Sequence, residues 1–250
     1  MTIKKYPIGL VLSGGGARGF AHLGAARALY ESGMKPDIIS GVSAGAIVGS
    51  FLAAGFSPQE TYDLLKDQDI MKISHISLPK DGLLKLDGLR KRLEDHIPYK
   101  KLEDLPIPLV VAVCNLSKAR VEYLKEGPLA EIVVASSSIP VLFSPVHLNG
   151  SVYVDGGVLD NLPVKPIRDY CDKIIAVNIS PVREADQLET LFQIAVRTFH
   201  VSVDKWTQRW SKKVDFLIEP PGVEHFDILR TKRVEELYDI SYHYTKDLIG

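Results

Sequence analysis

The stretch that decides the fold is Ile8-Gly9-Leu10-Val11-Leu12-Ser13-Gly14-Gly15-Gly16-Ala17-Arg18-Gly19, read together with the residues up to Ala54. Ile8 to Leu12 is a short apolar run and reads as a buried strand. Behind the glycine loop, Phe20 to Tyr30 has helix spacing, with Leu23, Arg27 and Tyr30 on successive turns and Gly33 as a stop. Asp37 to Ser40 is a second strand, and Ala44 to Ala54 a small-residue helix that ends at Gly55. Strand, loop, helix, strand, turn and helix in that order predict a parallel sheet covered by helices.

Outward from there the pattern continues. Ser57-Pro58-Gln59-Glu60 opens a helix with a serine cap, proline at the first position and a glutamate three residues on. Lys66 to Leu86 has no clear period and reads as an irregular excursion, a candidate lid or acyl-chain gate against the plainer reading of a connection. Asp87 caps a helix to about His96, Leu109 to Asn115 and Arg120 to Leu124 are strands, and Pro128 starts a helix through Ala135. Val146 to Leu148 and Ser151 to Val154 form a hairpin around Asn149-Gly150. Lys173 to Asn178 and Val214 to Ile218 are further strands; Leu188 to Trp210 and Lys232 to Leu248 are long helices. The first of these carries Phe192, Val196, Phe199, Val203, Trp206 and Trp210 as one stripe, which suits the core better than a membrane surface.

Composition bounds the function. The 250 residues carry a net charge of −1, 46% hydrophobic and 24% charged residues, which excludes a disordered chain and a strongly basic nucleic-acid binder. With no repeat and no linker-like boundary, a single domain over residues 1–250 is expected. Two cysteines, Cys114 and Cys171, make no disulfide framework. No run reaches the roughly 18 apolar residues of a membrane span, and the apolar run behind Lys4 and Lys5 is too short for a leader. The expectation is a soluble, cytoplasmic protein, at most peripheral to a membrane that it meets in transient contact.

Gly41-Val42-Ser43-Ala44-Gly45 is a G-x-S-x-G sequence between a strand and a helix. A nucleophilic serine needs a sharp turn so that its hydroxyl projects free, and flanking glycines keep that turn clear. Alone, the pentapeptide also fits an ordinary N-cap serine. Gly14, Gly16 and Gly19 satisfy the dinucleotide fingerprint, but the acid expected near the end of the second strand is missing, and Phe20-Ala21 breaks the phosphate-loop pattern. What remains is a nest of backbone N–H groups suited to a phosphate or an oxyanion. His200, His225 and His243 lie downstream of Ser43 but in no loop of catalytic type, and His22 reads as structural. Asp155 ends a strand and is followed by Gly156 and Gly157, so it is the better candidate base.

Those three pieces together resemble the patatin-like phospholipase family, in the bacterial branch related to the catalytic domain of neuropathy target esterase. Ala135-Ser136-Ser137-Ser138-Ile139-Pro140 with Pro145, and Leu159-Asp160-Asn161-Leu162-Pro163, extend the resemblance, which runs from about Ile8 to Val164. It implies a three-layer α/β/α sandwich with a mostly parallel sheet, and a Ser43–Asp155 dyad without histidine. It also implies an oxyanion hole from the loop amides of Gly14, Gly15, Gly16 and Ala17. Arg18, Gly19, Gly41, Gly45, Gly156 and Gly157 complete the motifs. Arg18 either steers an anionic head group or pairs with a carboxylate.

The chemistry expected is hydrolysis of a lipid carboxylic ester, phospholipid or lysophospholipid, through an acyl-enzyme, with a desolvated Asp155 of raised pKa. It needs no metal and no cofactor. The competing classes are an acyltransferase using the same serine, which would want a histidine and an arginine, and a non-catalytic lipid-binding or adaptor protein. A nucleotide-binding oxidoreductase is more distant. The partner is a lipid or other ester, not a nucleic acid. Oligomeric state is open.

Overall fold

Side chains of a strand point alternately to opposite faces, so a strand buried on both faces is apolar throughout. The first strand, β1 (Tyr6–Leu12), shows this: Leu10 and Leu12 join one core cluster and Val11 the other. The same division recurs in β2 (Ile38–Gly41), β3 (Leu109–Asn115) and β7 (Cys171–Val177), where Ile39, Val111 and Ile175 face one way and Ile38, Val110 and Ile174 the other. These contacts come from a computed structural model, which describes residues 5–66, 84–182, 191–228 and 233–250. The candidate lid lies outside the described residues except at Lys66 and at 84–86.

The remaining strands are β4 (Arg120–Leu124), β5 (Val146–Leu148), β6 (Ser151–Asp155) and β8 (Phe216–Ile218). They form an eight-stranded sheet ordered β5-β6-β3-β2-β1-β7-β8, with β4 also on β3. From β3 to β8 the neighbours are parallel, and β4, β5 and β6 add an antiparallel edge. The helices are α1 (Phe20–Glu31), α2 (Ala44–Ala53), α3 (Pro58–Leu65), α4 (Asp87–His96), α5 (Leu129–Ser137), α6 (Lys165–Arg168), α7 (Leu191–Ser211) and α8 (Val234–Ile249). With them the mostly parallel sheet has the α/β/α architecture that the sequence leads one to expect.

Local chemistry explains most element ends. At α3 the full capping box forms: Ser57 Oγ accepts from Glu60 N, and Glu60 Oε2 accepts from Ser57 N. In the hairpin turn both Asn149 and Gly150 have positive φ, +48° and +74°, the geometry of a type I′ turn. Two expectations need correcting. Leu86, not Asp87, is the cap residue of α4 and no side chain caps it; Asp87 contributes its charge to the first turn instead. Pro128 precedes α5 as its cap residue, and the helix runs on to Ser137, whose hydroxyl donates to the Val133 carbonyl. In α7, Val203 and Thr207 are buried and Trp210 packs against the second core cluster, whereas the side chains of Phe192, Val196 and Phe199 lie outside the described residues. No helix among the described residues is long and apolar enough to cross a membrane.

One feature of the sheet positions the site. Val111 pairs with both Gly41 of β2 and Leu124 of β4, and Val113 with both Glu122 of β4 and Asp155 of β6. A strand has two edges. Strand β4 occupies one edge of β3, so β2 and β6 share the other, end to end. They run in opposite senses, and their last residues, Gly41 and Asp155, therefore arrive beside neighbouring positions of β3.

Candidate active site

Ser43 follows β2 at this junction. Its backbone has φ +53° and ψ −123°, a region that costs a non-glycine residue about 1–3 kcal/mol. Two contacts hold the strained turn. Ser43 N donates to Ser136 Oγ at 2.9 Å, and Ser136 Oγ donates to the Ala112 carbonyl at 2.8 Å. Ala112 is the β3 residue between the two strand ends, so one hydroxyl ties the turn to the gap it projects from. Gly45 serves the same geometry, since a Cβ there would run into the Leu12 carbonyl. Ser43 then stands at the N-cap of α2, whose dipole favours negative charge at that point.

Asp155 approaches from β6. It is 5% exposed. Its Oδ1 accepts from Gly157 N at 2.8 Å, and its N donates to the Ser138 carbonyl at 2.9 Å. The Ser43 side chain lies close enough to the carboxylate to favour its charged form. Burial pushes the Asp155 carboxyl up to about 6, against the opposing pull of the Ser43 and Gly157 hydrogen bonds.

The glycine loop forms the third wall. Gly16 has φ +59°, and a side chain there would strike the Ile228 carbonyl. Of the four amides expected to hold an oxyanion, two are already engaged: Gly14 N donates to the Asn161 carbonyl at 3.3 Å and Ala17 N to the Ile228 carbonyl at 2.7 Å. Gly15 N and Gly16 N have no acceptor among the described residues. They line the same chamber as Ser43 and Asp155. The loop is braced from behind by His22, fully buried, whose Nε2 donates to the Ser13 carbonyl at 2.8 Å. Burial lowers the His22 pKa to about 4, so the ring is neutral at neutral pH.

Arg18 stands beside carboxylates, the second of its two readings, and also bonds to backbone. Its Nε and a terminal nitrogen donate to the Phe226 and Glu224 carbonyls, each at 2.9 Å. Its guanidinium thus straps the 224–228 segment over the glycine loop, with Glu224 and Asp227 supplying opposite charge. Gly19, beside it, packs on Ala44 Cβ, and Gly156 abuts the Ala112 carbonyl.

Two chambers meet at Ser43. One is apolar, about 870 Å³ including its open mouth, with Phe20, Ile47, Leu89 and Phe143 in its walls. The other holds Asp155, Asn161, Gly14 and His200. Gly16, Ile139 and Ile228 border both. Such an arrangement suits a long apolar group on one side of a hydroxyl and a polar one on the other.

Sequence reasoning passed over four of these residues. Ser136 and Asn161 lie in quoted motifs without a role; three consecutive serines in an apolar helix were the signal for the first. His200 was read as an ordinary helix histidine. Burial and the nearby Arg18 and Arg197 lower its pKa to about 4, so it presents a neutral ring to the chamber. Ile228 gave no signal. Cys114 and Cys171 are both buried and form no disulfide.

The family model for patatin-like phospholipase matches residues 10–168. The chain is 33% identical over 187 residues to an uncharacterized NTE family protein of Mycobacterium tuberculosis, covering 72% of this chain and 52% of that one. It is 26% identical over 274 residues to lysophospholipase nte1 of Emericella nidulans, covering 97% of this chain and 18% of that one. The chain thus spans about half the length of the first relative. Among solved structures, VipD from Legionella pneumophila aligns with a TM-score of 0.58 at 18% identity, over 98% of this chain and 67% of that one.

Proposed function

The chain belongs to the patatin-like phospholipase family, and from that premise we propose that it is a serine acyl hydrolase of lipid carboxylic esters, phospholipid or lysophospholipid, working through Ser43 and Asp155. The observation that carries this reading is the meeting of the Ser43 hydroxyl with a buried carboxylate raised to about 6, at the mouth of an apolar chamber.

The substrate's acyl chain lies in the apolar chamber, where each buried methylene contributes about 0.8 kcal/mol. Asp155, ionised above about pH 6, takes the Ser43 proton as the oxygen attacks the ester carbonyl. The amides of Gly15 and Gly16 receive the oxyanion, each such donor being worth about 3 kcal/mol. Collapse transfers the proton from Asp155 to the departing alcohol and leaves an acyl-Ser43 ester. Asp155 then deprotonates a water that attacks this ester, and it returns the proton to the Ser43 oxygen as the fatty acid leaves. A single carboxylate suffices as base because the elevated pKa brings its basicity close to that of a histidine. His22 is spent on Ser13 and takes no part. The family match favours this reading over the acyltransferase and adaptor alternatives.

The test is covalent labelling with a fluorophosphonate probe, followed by turnover of a lipid panel. Ser43 labels and Ser43→Ala does not; a wild-type chain that neither labels nor releases fatty acid from any lipid ends the proposal.

A further inference from the structure

The chamber that contains Ser43 and Asp155 is bordered by Pro140, Val158 and His200. The next residue after each of these is a large apolar side chain standing in solvent: Val141 is 64% exposed, Leu159 38% and Val201 53%. They come from the loop after α5, the turn after β6 and the middle of α7. Single exposed apolar residues are ordinary on any surface. Three from separate parts of the chain, each one residue on from the wall of the same chamber, mark out a candidate interaction surface.

Val141 adds an independent observation. Its φ is +73°, a left-handed conformation that strains a β-branched residue and suits asparagine or glycine. Folding gains little from a valine that is mostly in solvent. The strain and the exposure both make sense if the side chain meets an apolar medium outside the protein.

Charge identifies the medium. Ile194, Thr198, Val201, Lys205 and Arg209 recur at spacings of three and four on the exposed side of α7. The stripe is apolar beside the opening and basic one and two turns further on, about 6 and 12 Å along the axis. Across α7 Arg197, Lys205 and Arg209 stand against Asp204 as the only acid, although the whole chain has a net charge of −1. Apolar residues beside cations on one helix face match the depth profile of an anionic lipid surface, acyl chains beneath and phosphates above.

We propose that Val141, Leu159 and Val201 form a rim that docks the chamber's mouth onto an anionic phospholipid bilayer, with Lys205 and Arg209 meeting the headgroups. The proposal rests on the acyl-hydrolase reading only for what passes through the mouth. Docking supplies a substrate that is otherwise held in the bilayer, and it lets a near-neutral protein find lipid through a local patch.

The test separates docking from chemistry. Docking is read by flotation of Ser43→Ala protein, which leaves lipid intact, with phosphatidylcholine vesicles containing phosphatidylglycerol. Chemistry is read with otherwise wild-type protein and a soluble p-nitrophenyl butyrate. Val141→Asn keeps a residue at home in that backbone conformation, and Val201→Gln keeps a good helix former, so neither threatens the fold. The pair is expected to lower vesicle partitioning at least about tenfold, the least that withdrawing buried valines implies. Butyrate turnover stays within about twofold, as for surface changes generally. Lys205→Glu with Arg209→Glu weakens binding to the anionic vesicles and not to phosphatidylcholine alone. The proposal falls if the parent does not float, or if Val141→Asn/Val201→Gln floats as the parent does. It falls also if light scattering shows a dimer that this pair splits, since the rim is then covered by a second copy. Flotation that persists while the wild type cleaves no ester upholds the surface and refutes the hydrolase.

Discussion

Asp155 and Asp160 close the same turn after β6, both buried, and burial raises the pKa of both carboxyls. At Asp160 the fold completes the group. Tyr123 OH donates to Oδ2 at 2.6 Å and Leu162 N to Oδ1 at 3.2 Å. At Asp155 the fold supplies one backbone donor to the carboxyl, Gly157 N, and the side chain beside it is that of a strained serine lining the same chamber. A buried acid whose oxygens are satisfied from within is a strut between β4 and the turn. A buried acid whose satisfaction depends on a reactive group is a base in waiting. Burial alone does not tell them apart; the identity of the donors does.

The comparison can be broken at four points. The largest effect belongs to Ser43→Ala, which should lower ester turnover by about 10⁶-fold, as loss of a nucleophile does elsewhere, measured as kcat with a p-nitrophenyl ester. Asp155→Asn follows, with a loss of about 10⁴-fold. That variant should also be more stable than wild type at pH 8. A carboxyl near 4 when unfolded and about 6 when folded favours the folded state while it is protonated. Wild-type stability from this group is therefore lost as pH rises from about 4 through 6, by up to about 3 kcal/mol, and chemical denaturation at pH 4 and pH 8 should show the variant's advantage only at the higher value.

Third, kcat/KM of the wild type should rise about tenfold per pH unit below 6 and then level off, because only the ionised carboxylate accepts the serine proton. The smallest effect on catalysis is expected at the other acid. Tyr123→Phe removes the short bond to Asp160 and should cost about 2 kcal/mol of stability in denaturant titration, with kcat/KM almost unchanged. If it silences the enzyme as Asp155→Asn does, the two acids do not differ in kind.

Much of this was legible residue by residue. Leu109–Asn115 and Arg120–Leu124 are strands at the boundaries the sequence predicts, because apolar alternation and turn residues are local signals. Ser43 and Asp155 stand out for the same reason, each set among glycines. Their meeting was not local. It depends on β6 running antiparallel along the edge of β3 that β2 has left free, which no spacing announces. The accounting of loop amides was equally hidden, since Gly14 N and Ala17 N are engaged by Asn161 and Ile228 from distant parts of the chain. His200 could not be found in a helical pattern; only the packing of α7 against the Asp155 turn brings it to the chamber.

Whether Asp155 activates Ser43 is read most directly from the rate of fluorophosphonate labelling at Ser43 as a function of pH. With Asp155 as the base, the rate climbs through about pH 6 to a plateau in the wild type and stays low at every pH in Asp155→Asn. Labelling of Asp155→Asn at the wild-type rate, with the same pH dependence, would contradict that role.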